Sequence, residues 1–332
     1  MKNLNKREIE KQIFALDVTG YSDWTENNGE IIANLIAGAP TLQNLIPMTG
    51  VKAGVTAQMN ILTSDVTWSA GACVTSETGD NTVLAPRDVT TTRISDREIM
   101  CLDDLDAKLP MIQSAGARNE ELPFAQLYMD IKVKYNSKQL EKLAWLGDTG
   151  GSGNLALTNG YLEIASNETG SLAYTATFGA GDLSAIASFS TKPIETLEII
   201  NNNLTAELDE QEEVMVWMSL ANAKAAAKDI RDTYGLDATG NYLNSGDQAQ
   251  LGQMKFQFPG TNLVICGTHG FNSDGRIFCT YQDNLRYATD LESDREQVDL
   301  FYDKYHKALV SDIVFTMGFQ YQDPSQVIYL AV

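Results

Sequence analysis

The stretch Asn119-Glu-Glu-Leu-Pro-Phe-Ala-Gln-Leu-Tyr-Met-Asp-Ile-Lys-Val-Lys-Tyr-Asn-Ser-Lys-Gln-Leu-Glu-Lys-Leu-Ala-Trp-Leu-Gly147 decides the fold. Phe124, Leu127, Tyr128, Ile131 and Tyr135 recur at helical spacing, and Leu140, Leu143 and Ala144 continue the apolar face after a drift. Asn119 is placed to cap the first turn. Glu120 and Glu121 suit the positive end of the helix dipole, and Pro123 falls where a missing N–H costs little. Gly147 ends the pattern. The spacing predicts one helix from Leu122 to Trp145, about 36 Å long at about 1.5 Å per residue. Lys134, Lys138 and Lys142 follow each other at one-turn intervals along it and form a basic stripe, with Lys132 nearby. Two readings of the stripe stand. It is an inner surface near a polyanion, or a solvated face paired with acids such as Asp130.

Upstream, residues 47–102 read as a long two-stranded excursion. Val55, Ala57, Met59 and Ile61 alternate with Thr56, Gln58 and Asn60, and Val66-Thr-Trp68 continues the period of two. Gly71, Gly79-Asp-Asn81 and Pro86 punctuate a polar tip. Val89-Thr-Thr-Thr-Arg-Ile94 is β-branched, and Glu98-Ile-Met-Cys-Leu102 is apolar. Extended residues 54–62 alone span roughly 30 Å at about 3.3 Å each. A lone long hairpin is marginal in water, and its edges invite aggregation. It is therefore expected to lie on a neighbouring copy through Val66, Trp68, Val74, Val83, Leu84, Val89 and Ile94; the alternative is that it folds back on its own core. Residues 1–46 hold two short helical patterns, Lys6 to Phe14 and Glu30 to Leu35, the second ended by Gly38 and Pro40.

Downstream, residues 154–190 are rich in Gly, Ser, Thr and Ala and read as loops with short strands. A helix is predicted from Thr191 through Leu204, ended by the acidic run Glu207 to Glu213. Val214 to Met218 reads as a strand buried on both faces, and Ser219 caps a helix from Leu220 to Tyr234 that Gly235 closes. Short strands follow at Met254–Phe258, Leu263–Cys266 and Arg276–Tyr281. Residues 192–290 thus form an α+β unit. The remainder is strand-rich: Val298–Tyr302, Ala308–Phe319 and Val327–Leu330.

Composition narrows the function. The chain has 332 residues, 24 Lys plus Arg against 44 Asp plus Glu, and a formal net charge of -20. That balance is wrong for a general nucleic-acid binder, which needs a basic surface. No apolar run is long enough to span a membrane. The charged start of the chain lacks an apolar signal core, which predicts synthesis in a cytoplasm. Cys73, Cys101, Cys266 and Cys279 form no CxxC pair, so neither zinc nor a disulfide framework is expected. His269 and His306 are the only histidines, and both read as surface or turn residues. No GxSxG, Walker A, HExxH or GxGxxG spacing occurs. Gly150-Gly-Ser-Gly153 follows a helix and has no Lys-Ser/Thr after it, so it reads as a connection. Asp80-Asn81 lacks the further acids of a calcium loop. The 207–213 acids read as a solvated turn, with metal binding as the sharper alternative. No cofactor is expected.

The order of parts is an N-terminal arm, a long hairpin, a long helix, an α+β domain and closing strands. This order resembles the major capsid proteins of tailed bacteriophages, the Hong-Kong-97-like fold. Thr158-Asn-Gly-Tyr-Leu162, the Val214–Met218 strand running into a Ser219-capped helix, and Ser311-Asp-Ile-Val-Phe-Thr-Met-Gly-Phe319 also look like that family. The resemblance implies an arm at 1–46 and an extended loop at 47–102. It implies a spine helix with the first part of a peripheral domain at 103–191, an axial domain at 192–290 and peripheral closing strands at 291–332.

It implies no catalysis, and self-assembly into hexamers and pentamers of a virion shell around double-stranded DNA. The chain would be made in a host bacterial cytoplasm, with portal, scaffolding and decoration proteins as partners and no membrane. Only the Lys134, Lys138 and Lys142 stripe would meet the genome, by weak non-specific contact. Some relatives crosslink a hairpin lysine to a neighbour. Here Lys52, at the hairpin base, is the only lysine between residues 47 and 107, so no such link is expected. A long N-terminal scaffolding segment is not expected either. An encapsulin-like compartment and, more remotely, a metal-dependent enzyme using the 207–213 acids and His269 are the competing readings.

Overall fold

The computed structural model describes residues 34–64, 82–101, 124–168, 189, 192–234, 253–272, 274–290, 297–303 and 308–330. The Lys6–Phe14 helix, Val66, Trp68, Val74, the Gly71–Asn81 tip, Asn119 and His306 lie outside these residues.

The decisive helix is present as α2, Phe124–Leu146. From Ser137 on its inward side is fully used: Leu140, Leu143, Ala144 and Trp145 are buried. The arm expected at 1–46 is not separate from the body over its last part. Leu35, Ile36, Ala39, Leu42 and Leu45 are buried in the same core as α2, so the chain from residue 35 onward belongs to the body. Within that stretch lies the single turn α1, Pro40–Gln43. Four large apolar side chains and an alanine in eleven residues bury too much surface to be left in water.

Two sheets flank α2. The first holds β1 (Ile46–Met48), β9 (Leu285–Thr289), β11 (Ala308–Tyr321) and β10 (Gln297–Asp303) in that order, and β4 (Thr92–Cys101) pairs with β11 as well. The long strand β11 is the axis of this sheet. Its alternate residues Ile313, Phe315, Met317, Phe319 and Tyr321 face the core shared with α2. The second sheet has the order β12 (Ile328–Leu330), β8 (Ile277–Thr280), β5 (Val214–Ser219), β7 (Leu263–Thr268) and β6 (Gln253–Gln257).

The second sheet explains why β5 is apolar at every position. Met215, Trp217, Val264, Cys266 and Phe278 pack toward α2. Val214, Val216, Met218, Leu263, Ile265, Ile277 and Cys279 pack with Leu197 and Ile200 of one helix and Ala223, Ala226 and Ile230 of another. These helices are α4 (Pro193–Asn202) and α6 (Leu220–Tyr234); α3 (Tyr161–Asn167) and the turn α5 (Ala206–Asp209) complete the set. The sheet is therefore a middle layer, covered on both sides, and alternation of polar residues is not needed.

Three boundaries differ from the sequence reading. Residues 92–101 do not belong to the two-stranded excursion: β4 runs antiparallel to β11 from Thr92↔Met317 to Cys101↔Ala308. β9 joins the first sheet although it lies inside 192–290, and β12 joins the second although it lies inside 291–332. The physical reason is common to all three. A period of two tells that a strand has a buried face but not which partner buries it.

Candidate functional site

What remains of the excursion is a ribbon, β2 (Thr56–Ser64) paired antiparallel with β3 (Thr82–Thr90) from Thr56↔Thr90 to Ser64↔Thr82. It forms a sheet of its own, and among the described residues no third strand pairs with it. Pro86 lies inside β3 opposite Asn60, not in the polar tip. A proline is tolerated there because the ribbon has open edges.

The ribbon touches the body at its root. Val89 and Met59 are buried with Val51 and Ala288. Thr91 Oγ1 donates to the Lys52 carbonyl at 2.8 Å, and the Gly54 N–H donates to the Thr91 carbonyl at 2.9 Å. β11 approaches so closely that a Cβ at Gly318 would stand 2.5 Å from the Thr90 carbonyl oxygen. One turn of strand further out, Arg87 pairs with Glu168, donates to Gln320 Oε1 at 3.1 Å and stacks 4.3 Å above the Tyr321 ring.

Of the residues expected to meet a neighbouring copy, Val89 and Ile94 are buried within the chain itself, Val89 at the ribbon root and Ile94 in the core beside α2. Both are thereby removed from the inter-subunit set, because a side chain already out of water gains nothing from a second burial. Val83 and Leu84 lie on β3, opposite Thr63 and Leu62.

The α2 stripe is solvent-facing. Lys134 and Lys138 are exposed and Lys142 is half-buried. Among the described residues none of the three is in an ion pair; Lys138 Nζ stands 5.8 Å from the centre of the Tyr135 ring. Lys132 differs: it pairs with Asp96 at 3.2 Å and Glu98 at 2.5 Å on β4. Ile131 and Tyr135, counted in the apolar face of the sequence pattern, are 41% and 67% exposed, so this part of the helix surface is uncovered in a single chain.

A polar junction that the sequence reading missed lies at the inner end of α2. Glu141 is 2% exposed. Its Oε1 accepts from Thr41 Oγ1 at 2.5 Å and Thr268 Oγ1 at 2.6 Å, and its Oε2 accepts from the Thr41 N–H at 3.1 Å. Trp145 Nε1 donates to Thr41 Oγ1 at 3.0 Å, and the Gly270 N–H donates to Thr268 Oγ1 at 3.1 Å. One carboxylate thus joins the end of the arm, the long helix and the second sheet. A Cβ at Gly270 would meet Trp145 Cδ1 at 2.3 Å, so only glycine lets the backbone come this near. Trp145 is ringed by Tyr161, Trp217, Phe271 and Phe278 at centroid distances of 5.4, 5.6, 4.7 and 5.6 Å. Burial raises the Glu141 carboxyl above its ordinary 4.5, against the opposing pull of the donors from Thr268 and Thr41.

Among the described residues the sharper chemical readings find no geometry. Among the described residues no group of His, Cys, Asp and Glu converges as metal ligands. Glu213 of the acidic run reaches Lys255 at 3.6 Å, and His269 is exposed in a single turn. Cys266 and Cys279 are buried free thiols, and burial pushes Cys266 up to about 12, far from the reactive thiolate range.

No protein-family model matches the chain, and no curated protein matches it in sequence. Solved structures do. A chain from the satellite phage P4 procapsid that includes the size-determination protein superposes with a TM-score of 0.53 at 13% identity, covering 91% of this chain and 98% of that one. A chain from the capsid of a native GTA particle gives 0.50 at 11% identity, covering 89% and 91%. Likeness at these identities establishes a shared mixed α+β fold over nearly the whole length.

Proposed function

We propose that this chain is a shell-forming structural protein, the major capsid protein of a tailed phage, with no catalytic centre. The observation that carries the reading is the ribbon. Its root is seated on the body, while its strands run on, paired only with each other among the described residues. A ribbon of this kind finds burial on a second copy. The shared fold with chains of assembled particles supports the same reading. In Hong-Kong-97-like terms, β2 and β3 are the extended loop, α2 is the spine helix, the second sheet with α4 and α6 is the axial domain, and the first sheet is the peripheral domain. The place of β12 and β9 makes the two domains interleave in sequence.

On this reading the copies form hexamers and pentamers of a virion shell around double-stranded DNA, with portal, scaffolding and decoration proteins as further partners. The acidic balance of the chain keeps the wall from gripping the genome, because tight binding needs many neutralised phosphates. The exposed Lys134 and Lys138 and the half-buried Lys142 are the cations of α2 left for it. The triple variant Lys134→Glu, Lys138→Glu, Lys142→Glu is expected to assemble and to hold less nuclease-protected DNA per particle. For assembled shells titrated with DNA, the slope of log K against log salt should fall by about 3 in magnitude if all three lysines meet phosphates. Unchanged DNA content and slope would make the stripe an ordinary solvated face. Shells that enclose a protein guest and no DNA would instead identify an encapsulin-like compartment.

A further inference from the structure

The ribbon is held at two places of different chemistry. The inner one is apolar and centred on Val89, packed on Val51 and Ala288, with Met59 joining the same cluster from the register of Arg87. The outer one is polar and lies next along the same face, since Met59 pairs with Arg87 and Ala57 with Val89 across the ribbon. There Arg87 pairs with Glu168, which follows α3. Tyr321 at the end of β11 donates its hydroxyl to the same carboxylate, and its ring lies under the guanidinium. Gln320 accepts from Arg87 and returns a donor to the Asp88 carbonyl at 3.0 Å. An apolar seat is non-directional. A polar contact at Arg87, about 7 Å along the strand from Val89 at about 3.3 Å per residue, adds the direction that fixes the angle.

The chemistry suits orientation more than stability. Arg87 has 13% of its side chain exposed and Glu168 27%, so both have lost much of their water. Among the described residues the buried Arg87 Nε has no partner, a cost that offsets the pairing. What the arrangement supplies is direction: a planar fork, a ring and a carboxylate meet in only one geometry.

We propose that Arg87, Glu168, Tyr321 and Gln320 form a clasp that fixes the angle at which the ribbon leaves the body, and that this angle sets the curvature with which copies join. The second half rests on the shell reading; the first does not. The test uses the full chain with spin labels carried on non-natural ketone side chains at Ser64 and Thr149. Labelled chains are diluted with unlabelled ones so that only distances within a chain are read. The native chain should give one narrow distance. Arg87→Met keeps cover over the Tyr321 ring without the charge, and Glu168→Gln removes the charge from the other side. Each should broaden the distance distribution while the thermal melt remains cooperative, and particles of each should lose their uniform diameter.

A narrow, unchanged distance in both variants would overturn the clasp. A broadened distance with particles of native diameter would overturn its link to curvature. A native chain that forms no particles overturns the shell reading and the curvature link together, and the distance comparison still decides the clasp.

Discussion

A chain in which residues 60–86 are replaced by a short glycine-containing turn is expected to fold and to lose assembly altogether. The cut keeps Met59 and Arg87, which pair across the ribbon, and with them Val89 and Thr91, which bind the ribbon to the body. A deletion reaching to residue 92 would also remove Arg87, Val89 and Thr91 and enter β4, which pairs with β11 along its whole length. The buried residues described in the two main cores run from Leu35 to Leu45 and from Ile94 onward. The stability of the body should therefore change by less than about 1 kcal/mol, the range of substitutions away from packed features. Assembly should fall from complete to undetectable, because contacts that hold permanent complexes typically bury about 2,000 Å² or more. Light scattering and a thermal melt on the same sample separate the two effects. Truncated chains that close into normal particles would show that the ribbon is not what joins the copies.

The second large effect is expected at Glu141. Replacing it by leucine leaves the Thr41 N–H, the Thr41 hydroxyl and the Thr268 hydroxyl without their acceptor in a dry site. The expected loss is about 3–5 kcal/mol, the usual cost of breaking a buried polar network on one side. Glutamine is milder, about 1–3 kcal/mol, since its amide turns one donor toward another donor. The two variants also differ from the native chain in pH dependence. Burial raises the folded-state pKa of Glu141 above 4.5, so the folded state holds the proton more tightly than the unfolded chain. That contribution is fully present below 4.5 and is lost as pH rises through the folded value. In urea melts the gap between the native chain and Glu141→Gln should narrow as pH rises across this window. A gap that widens would mean the donors, and not burial, dominate the carboxylate.

Much of this architecture is readable from local pattern. The 3.6-residue period carried α2, and Val214–Ser219 followed by Leu220–Tyr234 occurs where an unbroken apolar run meets a capping serine. The ribbon is readable because Val55 to Ile61 alternate without interruption. Partner choice is not local. Only Thr91 separates β3 from β4, yet one pairs within the ribbon and the other with β11, more than 200 residues away. The clasp was hidden for the same reason: Arg87, Glu168 and Tyr321 are polar residues of three unrelated segments, and Pro86-Arg-Asp88 has the look of a turn. Glu141 had a signal that went unused. It lies one turn from both Ser137 and Trp145 on the buried side of α2, where a charge has to find partners.

On the proposed reading this polypeptide completes its burial only against other copies. Analytical ultracentrifugation of the expressed full chain at micromolar concentration, with cryo-electron microscopy of the fastest fraction, tests it most directly. Closed particles of uniform size, many times the 36.4 kDa of one chain, are expected. A single stable species of 36.4 kDa, with the ribbon protected from proteolysis against its own body, would contradict it.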